Sequence, residues 1–289
     1  MKRNKFKSPI ILICCQKILI NEMKFFNLKK RIRLLELSRL NDFKLDNKKI
    51  NVINIEYKKS TKKYIENSFK IAFKLLKNKY SDKLINGPVN KHSFLNRKFL
   101  GVTEYISNKF NQKKTGMLIY NNKLSVSVVT THLPLQLVSR KITKNLIKEK
   151  IEIIDSFFRK NLNKKPKIGV TGLNPHCESI LKFNEDKKIV SAAIKSSVRK
   201  KINVKGPFPA DTIFLKTNRD KFNVILGMYH DQVLTPLKTL FEYDAINITM
   251  GLPFLRISPD HGPNEKMLRK NKSNPLSLLK ALKFLDRSD

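Results

Sequence analysis

Short runs of aliphatic and β-branched residues alternate along this chain with segments whose apolar side chains return every three or four positions. The first pattern fits buried strands, and the second fits amphipathic helices with a period of 3.6 residues. Strands are predicted over residues 9–15, 50–57, 83–86, 124–130, 167–171, 222–229 and 245–250. Ile65, Phe69, Phe73 and Leu76 form one helical stripe, and Ile147, Ile151, Ile154 and Phe158 form another. Each stripe is wide enough to cover one face of a sheet, so these residues are read as core. Asn274 followed by Pro275 supplies a cap and a first-turn proline for a last helix through Leu285. No internal repeat or long linker interrupts the alternation, which implies an α/β protein with a largely parallel sheet.

The residues that this patterning leaves unexplained fall just after predicted strands. They are Gly-Pro-Val-Asn-Lys at 87–91, Thr-His-Leu-Pro at 131–134, Gly-Leu-Asn-Pro-His at 172–176 and Tyr-His-Asp-Gln at 229–232. Loops at the carboxyl ends of strands are where open α/β sheets bind ligands. Three of the five histidines, His132, His176 and His230, sit in these loops, and His261 lies in Asp-His-Gly-Pro at 260–263. Neutral imidazoles suit borderline divalent metals, and a three-imidazole set leaves coordination positions open for a substrate. Any one of these histidines alone reads as an ordinary loop residue; their shared placement favours the metal reading. His92 has no such context and is expected at the surface. There is no Gly-x-Ser-x-Gly elbow, no phosphate-binding Walker loop and no Gly-x-Gly-x-x-Gly among the nine glycines, so a Rossmann dinucleotide site is not supported.

Composition refines this picture in three places. Lys and Arg number 60 against 23 Asp and Glu, a formal net charge of +37, which by itself suggests a polyanionic partner. Residues 221–263, however, hold only Lys221, Lys238 and Arg256 against Asp231, Glu242, Asp244 and Asp260, so the motif-rich part is nearly neutral. The excess lies in Lys- and Asn-rich segments without stacking motifs or zinc knuckles, and reads as solvated charge and not as a nucleic-acid surface. Cys14, Cys15 and Cys177 suit neither a disulfide framework nor a thiolate zinc site. The apolar stretch at 9–15 is too short for a membrane helix, and no small-residue cleavage site follows it, so a cytoplasmic location without membrane association is expected.

Seven stretches in order, 86–91, 101–104, 130–135, 172–176, 206–214, 228–232 and 247–262, together resemble the 4-hydroxythreonine-4-phosphate dehydrogenase family of vitamin B6 synthesis. The resemblance places metal ligands on His132, His176 and His230, and substrate or phosphate contacts on Thr103, Lys238, Asn247 and Arg256. Lys238 and Arg256 would then neutralise phosphate, the former as a point charge and the latter as a planar fork. Asp231 is a candidate to orient a ligand imidazole, with a turn-capping role as the alternative. The related isocitrate and isopropylmalate dehydrogenases hold adenosine with a His-Gly and a later Asn-Pro, similar to His261-Gly262 and Asn274-Pro275 here, which implies NAD (or NADP) at His261, Gly262 and Asn274.

The fold so implied has two α/β/α domains flanking a cleft, with residues 1–98 plus 267–289 in the first and 99–266 in the second. A homodimer sharing its metal ligands is implied too. The implied reaction oxidises the alcohol of 4-phosphooxy-threonine, a small phosphorylated hydroxy-amino acid, passes hydride to NAD and releases carbon dioxide. One divalent cation (Zn, Mg or Co) serves both steps. A related phosphorylated threonate or erythronate dehydrogenase is the alternative, and a basic RNA-associated protein with relic enzyme motifs is a third. The sequence departs from the family pattern in starting past the usual Gly-rich first strand, in having Val102 where His precedes Thr-Glu, and in reading Val-Leu-Thr-Pro after Tyr-His-Asp-Gln. The first departure implies a sheet lacking one edge strand; the second removes one polar substrate contact.

Overall fold

The computed structural model describes residues 6–90, 94–95, 98–179 and 182–287. Lys91 and His92 of the sequence motifs therefore lie outside the described residues. Two sheets form the framework. Strands β1 (Ile11–Cys14), β2 (Ile32–Leu34) and β3 (Ile50–Asn54) make a parallel sheet in the order β1-β3-β2. The larger sheet contains β4 (Lys83–Ile85), β5 (Gly116–Tyr120), β6 (Ser125–Val128), β7 (Ile168–Thr171), β8 (Val204–Phe208), β9 (Val224–Gly227), β10 (Ile246–Met250) and β11 (Leu255–Pro259). Its order is β4-β11-β10-β5-β6-β9-β7-β8.

All seven predicted strands are present, shorter at their ends than the apolar runs that announce them. β2, β5, β8 and β11 were not among the predictions. The large sheet is also more mixed than expected. The pairings β11–β10, β10–β5 and β5–β6 are antiparallel, while β4–β11, β6–β9, β9–β7 and β7–β8 are parallel. Tight connections rather than helical crossovers join β5 to β6 and β10 to β11, whereas β10 and β5 pair from distant parts of the chain. Gly251 turns the chain after β10 at φ +85, where an added Cβ would lie 2.2 Å from the Lys114 carbonyl oxygen, so no other residue fits without displacing backbone. The eight-stranded sheet runs across the division expected near residue 98, because β4 pairs with β11.

Helices cover both faces. α1 (Gln16–Phe25) follows β1, and α2 (Thr61–Lys77) starts at Ser60, whose hydroxyl accepts from the Lys63 amide. α2 ties the two sheets together. Phe69 and Phe73 pack with Phe94, Ile106, Phe254 and Leu84, while Leu75 and Ile71 pack with Ile11, Ile13 and Ile53. Further on come α3 (Val102–Lys109), α4 (Leu135–Lys141), α5 (Lys144–Leu162), α6 (Ser191–Arg199), α7 (His230–Phe241) and α8 (Leu276–Leu285). The predicted stripe Ile147, Ile151, Ile154 and Phe158 is buried on α5 against Val170, Val224 and Leu226. Val233 and Leu237 of α7 fill the opposite side with Val126, Val128 and Ile225. β6, β7 and β9 are consequently buried along their whole length, as strands covered on both faces must be. No helix among the described residues is long and apolar enough to cross a membrane.

Candidate functional site

The exits of β6 and β9 bring two of the candidate histidines together. Beyond the strand ends the pairing continues: the Val129 and Thr130 amides donate to the carbonyls of Gly227 and Met228, and the Thr130 hydroxyl donates to the Met228 carbonyl at 2.7 Å. His132 and His230 follow at equal distance from this zipper, and their rings lie 5.7 Å apart between centroids, tilted by 38°. His230 is the first residue of α7, and its Nδ1 lies 2.7 Å from Oδ1 of Asp231. That contact leaves Nε2 for a ligand, the arrangement by which carboxylates orient metal-binding imidazoles. At imidazole–metal distances of about 2.0–2.1 Å, rings this close can reach one ion.

Gln232 anchors the same turn. Its Oε1 accepts from the Met228 amide and the Thr171 hydroxyl, and its Nε2 donates to the Gly172 carbonyl, all at 2.7 Å. This one side chain joins the ends of β7 and β9. The loop after β7 is held further by Asp186, which is fully buried in a π-helical turn (Asp186–Val190). Its two oxygens accept from the amides of Leu173 and Asn174 at 2.6 and 3.0 Å. His176 stands at the tip of this loop, exposed, with φ 55. The structure does not bring it to the other two histidines, and among the described residues no three His, Cys, Asp or Glu side chains converge to hold a metal.

The amino end of α3 reaches the same place. Glu104 accepts from the Thr131 hydroxyl at Oε1 (3.0 Å), while its Oε2 is buried without a hydrogen-bond partner. Gly101 precedes the helix. A Cβ there would meet Glu104 Oε2 at 2.8 Å and the His132 ring at 3.2–3.3 Å, so the carboxylate and the imidazole adjoin the same small space. Val102 points elsewhere, into the apolar cluster of Phe69, Phe73, Phe94 and Phe254. Where the family has a polar side chain, this chain has a half-buried apolar contact.

β10 and β11 present a polar face built by simple alternation. Ile246, Ile248 and Met250 point into the core, and Asn247 and Thr249 point the other way. Asn247 lies opposite Ser258, and Thr249 opposite Arg256. Arg256 is 2% exposed, and burial lowers its guanidinium pKa to about 10, with Glu104 the opposing charge that holds it up. Its donors go to neutral oxygens: Asn86 Oδ1 at 2.8 Å, Thr249 Oγ1 at 2.9 Å and Thr103 Oγ1 at 3.4 Å. No ion pair satisfies it among the described residues. Asn247 Oδ1 is likewise buried and without a partner. A buried cation surrounded by hydroxyl and amide groups is suited to receive an anion.

Lys238 is placed differently. Its Nζ donates to the Asp260 carbonyl at 2.6 Å and lies 2.5 Å from Asp260 Oδ2, a close ion pair with poor hydrogen-bond alignment. Burial raises the Asp260 carboxyl pKa against the pull of Lys238, and His261 and His230 are near enough to add their charge. Gly262 has open space beside it, with nothing within 4 Å of an added Cβ. Asn274 Oδ1 accepts from the Leu276 amide, but the helix starts one residue later than the sequence implies, with Pro275 and not Asn274 at the N-cap position. Sequence reading gave no role to Asn86, Glu104, Gln232 and Thr249, although its motif stretches contain them, and it passed over Asp186 altogether. Alternation in Ile-Asn-Ile-Thr-Met was a signal for Thr249; nothing local marked Asp186.

A model of the family described as pyridoxal phosphate biosynthetic protein PdxA matches residues 7–285. The 4-hydroxythreonine-4-phosphate dehydrogenase of Sulfurihydrogenibium sp. is 36% identical over 80% of this chain and 74% of its own length. A D-threonate 4-phosphate dehydrogenase of Pectobacterium atrosepticum is 35% identical over 68% of this chain, spanning 61% of that protein. The crystal structure of the 4-hydroxythreonine-4-phosphate dehydrogenase from Klebsiella pneumoniae superposes with a TM-score of 0.80 at 26% identity, covering 96% of this chain and 89% of that one.

Proposed function

The chain belongs to the family of the pyridoxal phosphate biosynthetic protein PdxA, and from that premise we propose that it oxidises and decarboxylates 4-phosphooxy-threonine with NAD and one divalent metal ion. Its fold is the isocitrate dehydrogenase-like α/β architecture. The observation that carries the reading is the His132–His230 pair with Asp231 behind it, joined through Glu104 to the buried Arg256. His132 and His230 would hold the metal, whose contribution is to lower the cost of negative charge on the reacting oxygen. His176, exposed on its pinned loop, is offered outward to a second copy of the chain, which completes the ligand set in a homodimer.

Arg256, with Asn247 and Thr103 beside it, receives an anionic group of the substrate, and Lys238 exchanges part of its contact with Asp260 for another. NAD is held at His261, Gly262 and Asn274, and the open space beside Gly262 suits a close approach there. A soluble phosphorylated substrate suits a cytoplasmic enzyme. Metal content of the purified protein and of His132→Ala, His176→Ala and His230→Ala tests the ligand set. Each substitution should cut occupancy sharply, and full occupancy in all three would refute it. The second reading, a phosphorylated four-carbon hydroxy acid as substrate, is favoured by the similarity to the D-threonate 4-phosphate dehydrogenase. Direct competition between the two compounds separates them.

A further inference from the structure

Glu104 balances the charge of Arg256, but metal, phosphate and cofactor binding leave one of its oxygens without a hydrogen bond. Its Oε1 is satisfied by Thr131, but Oε2 is buried and has no hydrogen-bond partner. Arg256 is near enough to feel its charge but makes no hydrogen bond to it, and a carboxylate oxygen withdrawn from water without a donor is unfavourable unless one arrives. The other carboxylates beside the site are already engaged, Asp231 with His230 and Asp260 with Lys238. The space that Oε2 adjoins is the one beside His132, which Gly101 keeps open by having no Cβ.

The proposed substrate carries one positive group, an ammonium on the carbon next to the hydroxyl that is oxidised. Arg256 and Lys238 can meet only its anionic groups. We propose that Glu104 receives this ammonium, and so selects a phosphorylated hydroxy-amino acid over the corresponding phosphorylated hydroxy acid. The inference rests on the functional reading above. It also gives the departure at Val102 a consequence: with that side chain in the apolar cluster, Glu104 is the polar group that the first turn of α3 turns towards His132.

The test uses the metal-loaded enzyme with NAD, comparing wild type with Glu104→Gln, which keeps side-chain size and an oxygen for Thr131. For 4-phosphooxy-threonine, kcat/KM should fall about tenfold or more, the size expected for losing a hydrogen bond to a charged group. The inhibition constant of threonate 4-phosphate, which lacks the ammonium, should stay the same or improve, with metal content unchanged. Equal weakening towards both compounds, or none towards either, would overturn the assignment while leaving the functional reading in place. Wild-type enzyme that does not turn over 4-phosphooxy-threonine would remove the reading and this inference with it. If the Gln variant does not fold, Glu104→Asp, which retracts the charge, should show the same selective loss in smaller measure; an unselective loss there would also count against it.

Discussion

Gly101 shows how little space separates the groups at the centre of this site. Gly101→Ala would press a methyl group against Glu104 Oε2 and the His132 ring. Turnover should therefore drop by about tenfold or more, with a modest fall in melting temperature besides, since Gly101 is the N-cap of α3 and Ala caps less well than Gly. A pair of measurements, steady-state kinetics and thermal melting, checks this; unchanged kcat/KM would show that neither group acts there. Arg256→Lys retains the charge but loses the fork that spans Asn86, Thr103 and Thr249. KM for the substrate should rise several-fold, and an unchanged KM would remove Arg256 from the binding site. The meeting of His132 and His230 was legible from their placement after strands, whereas Arg256, one of 60 basic residues, was picked out only through the family resemblance. Residue identity was illegible where the role depends on a neighbour: Glu104 has meaning only because α3 starts beside Thr131, and Val102 only because the aromatic cluster lies behind it.

At the level of elements, the strong periodicities transferred directly. The stripes on α2 and α5 became buried faces, and the predicted strands formed where uninterrupted apolar runs lay. β5 and β11 escaped because antiparallel neighbours a few residues away, with no helix between, determine them, and a sequence window does not reveal that pairing. The loop carrying His176 is a similar case. Its shape depends on Asp186, ten residues further on, in a turn with no recognisable signature. Asp186→Asn would place an amide nitrogen where two backbone amides need an acceptor, at a cost of about 1–3 kcal/mol. Both thermal stability and metal affinity should fall, because the loop that presents His176 loosens. Loss of stability without any change in metal affinity would detach this loop from the metal site.

The whole molecule joins a small parallel sheet to a large mixed one through α2, and gathers the exits of β6, β7 and β9 around one histidine pair. The net charge of +37 contributes nothing visible to that arrangement; the site itself pairs its cations with buried carboxylates and neutral oxygens. Two histidines converge within one chain and the third stands exposed on its own loop; in the proposed homodimer that third imidazole would come from a second copy. The account stands or falls on the reaction. Purified protein mixed with NAD, a divalent metal and 4-phosphooxy-threonine should generate NADH absorbance, lose it on addition of a chelator and regain it when metal is restored. Absence of NADH from folded, metal-loaded protein with that substrate, or formation that persists undiminished after the metal is stripped, would contradict it.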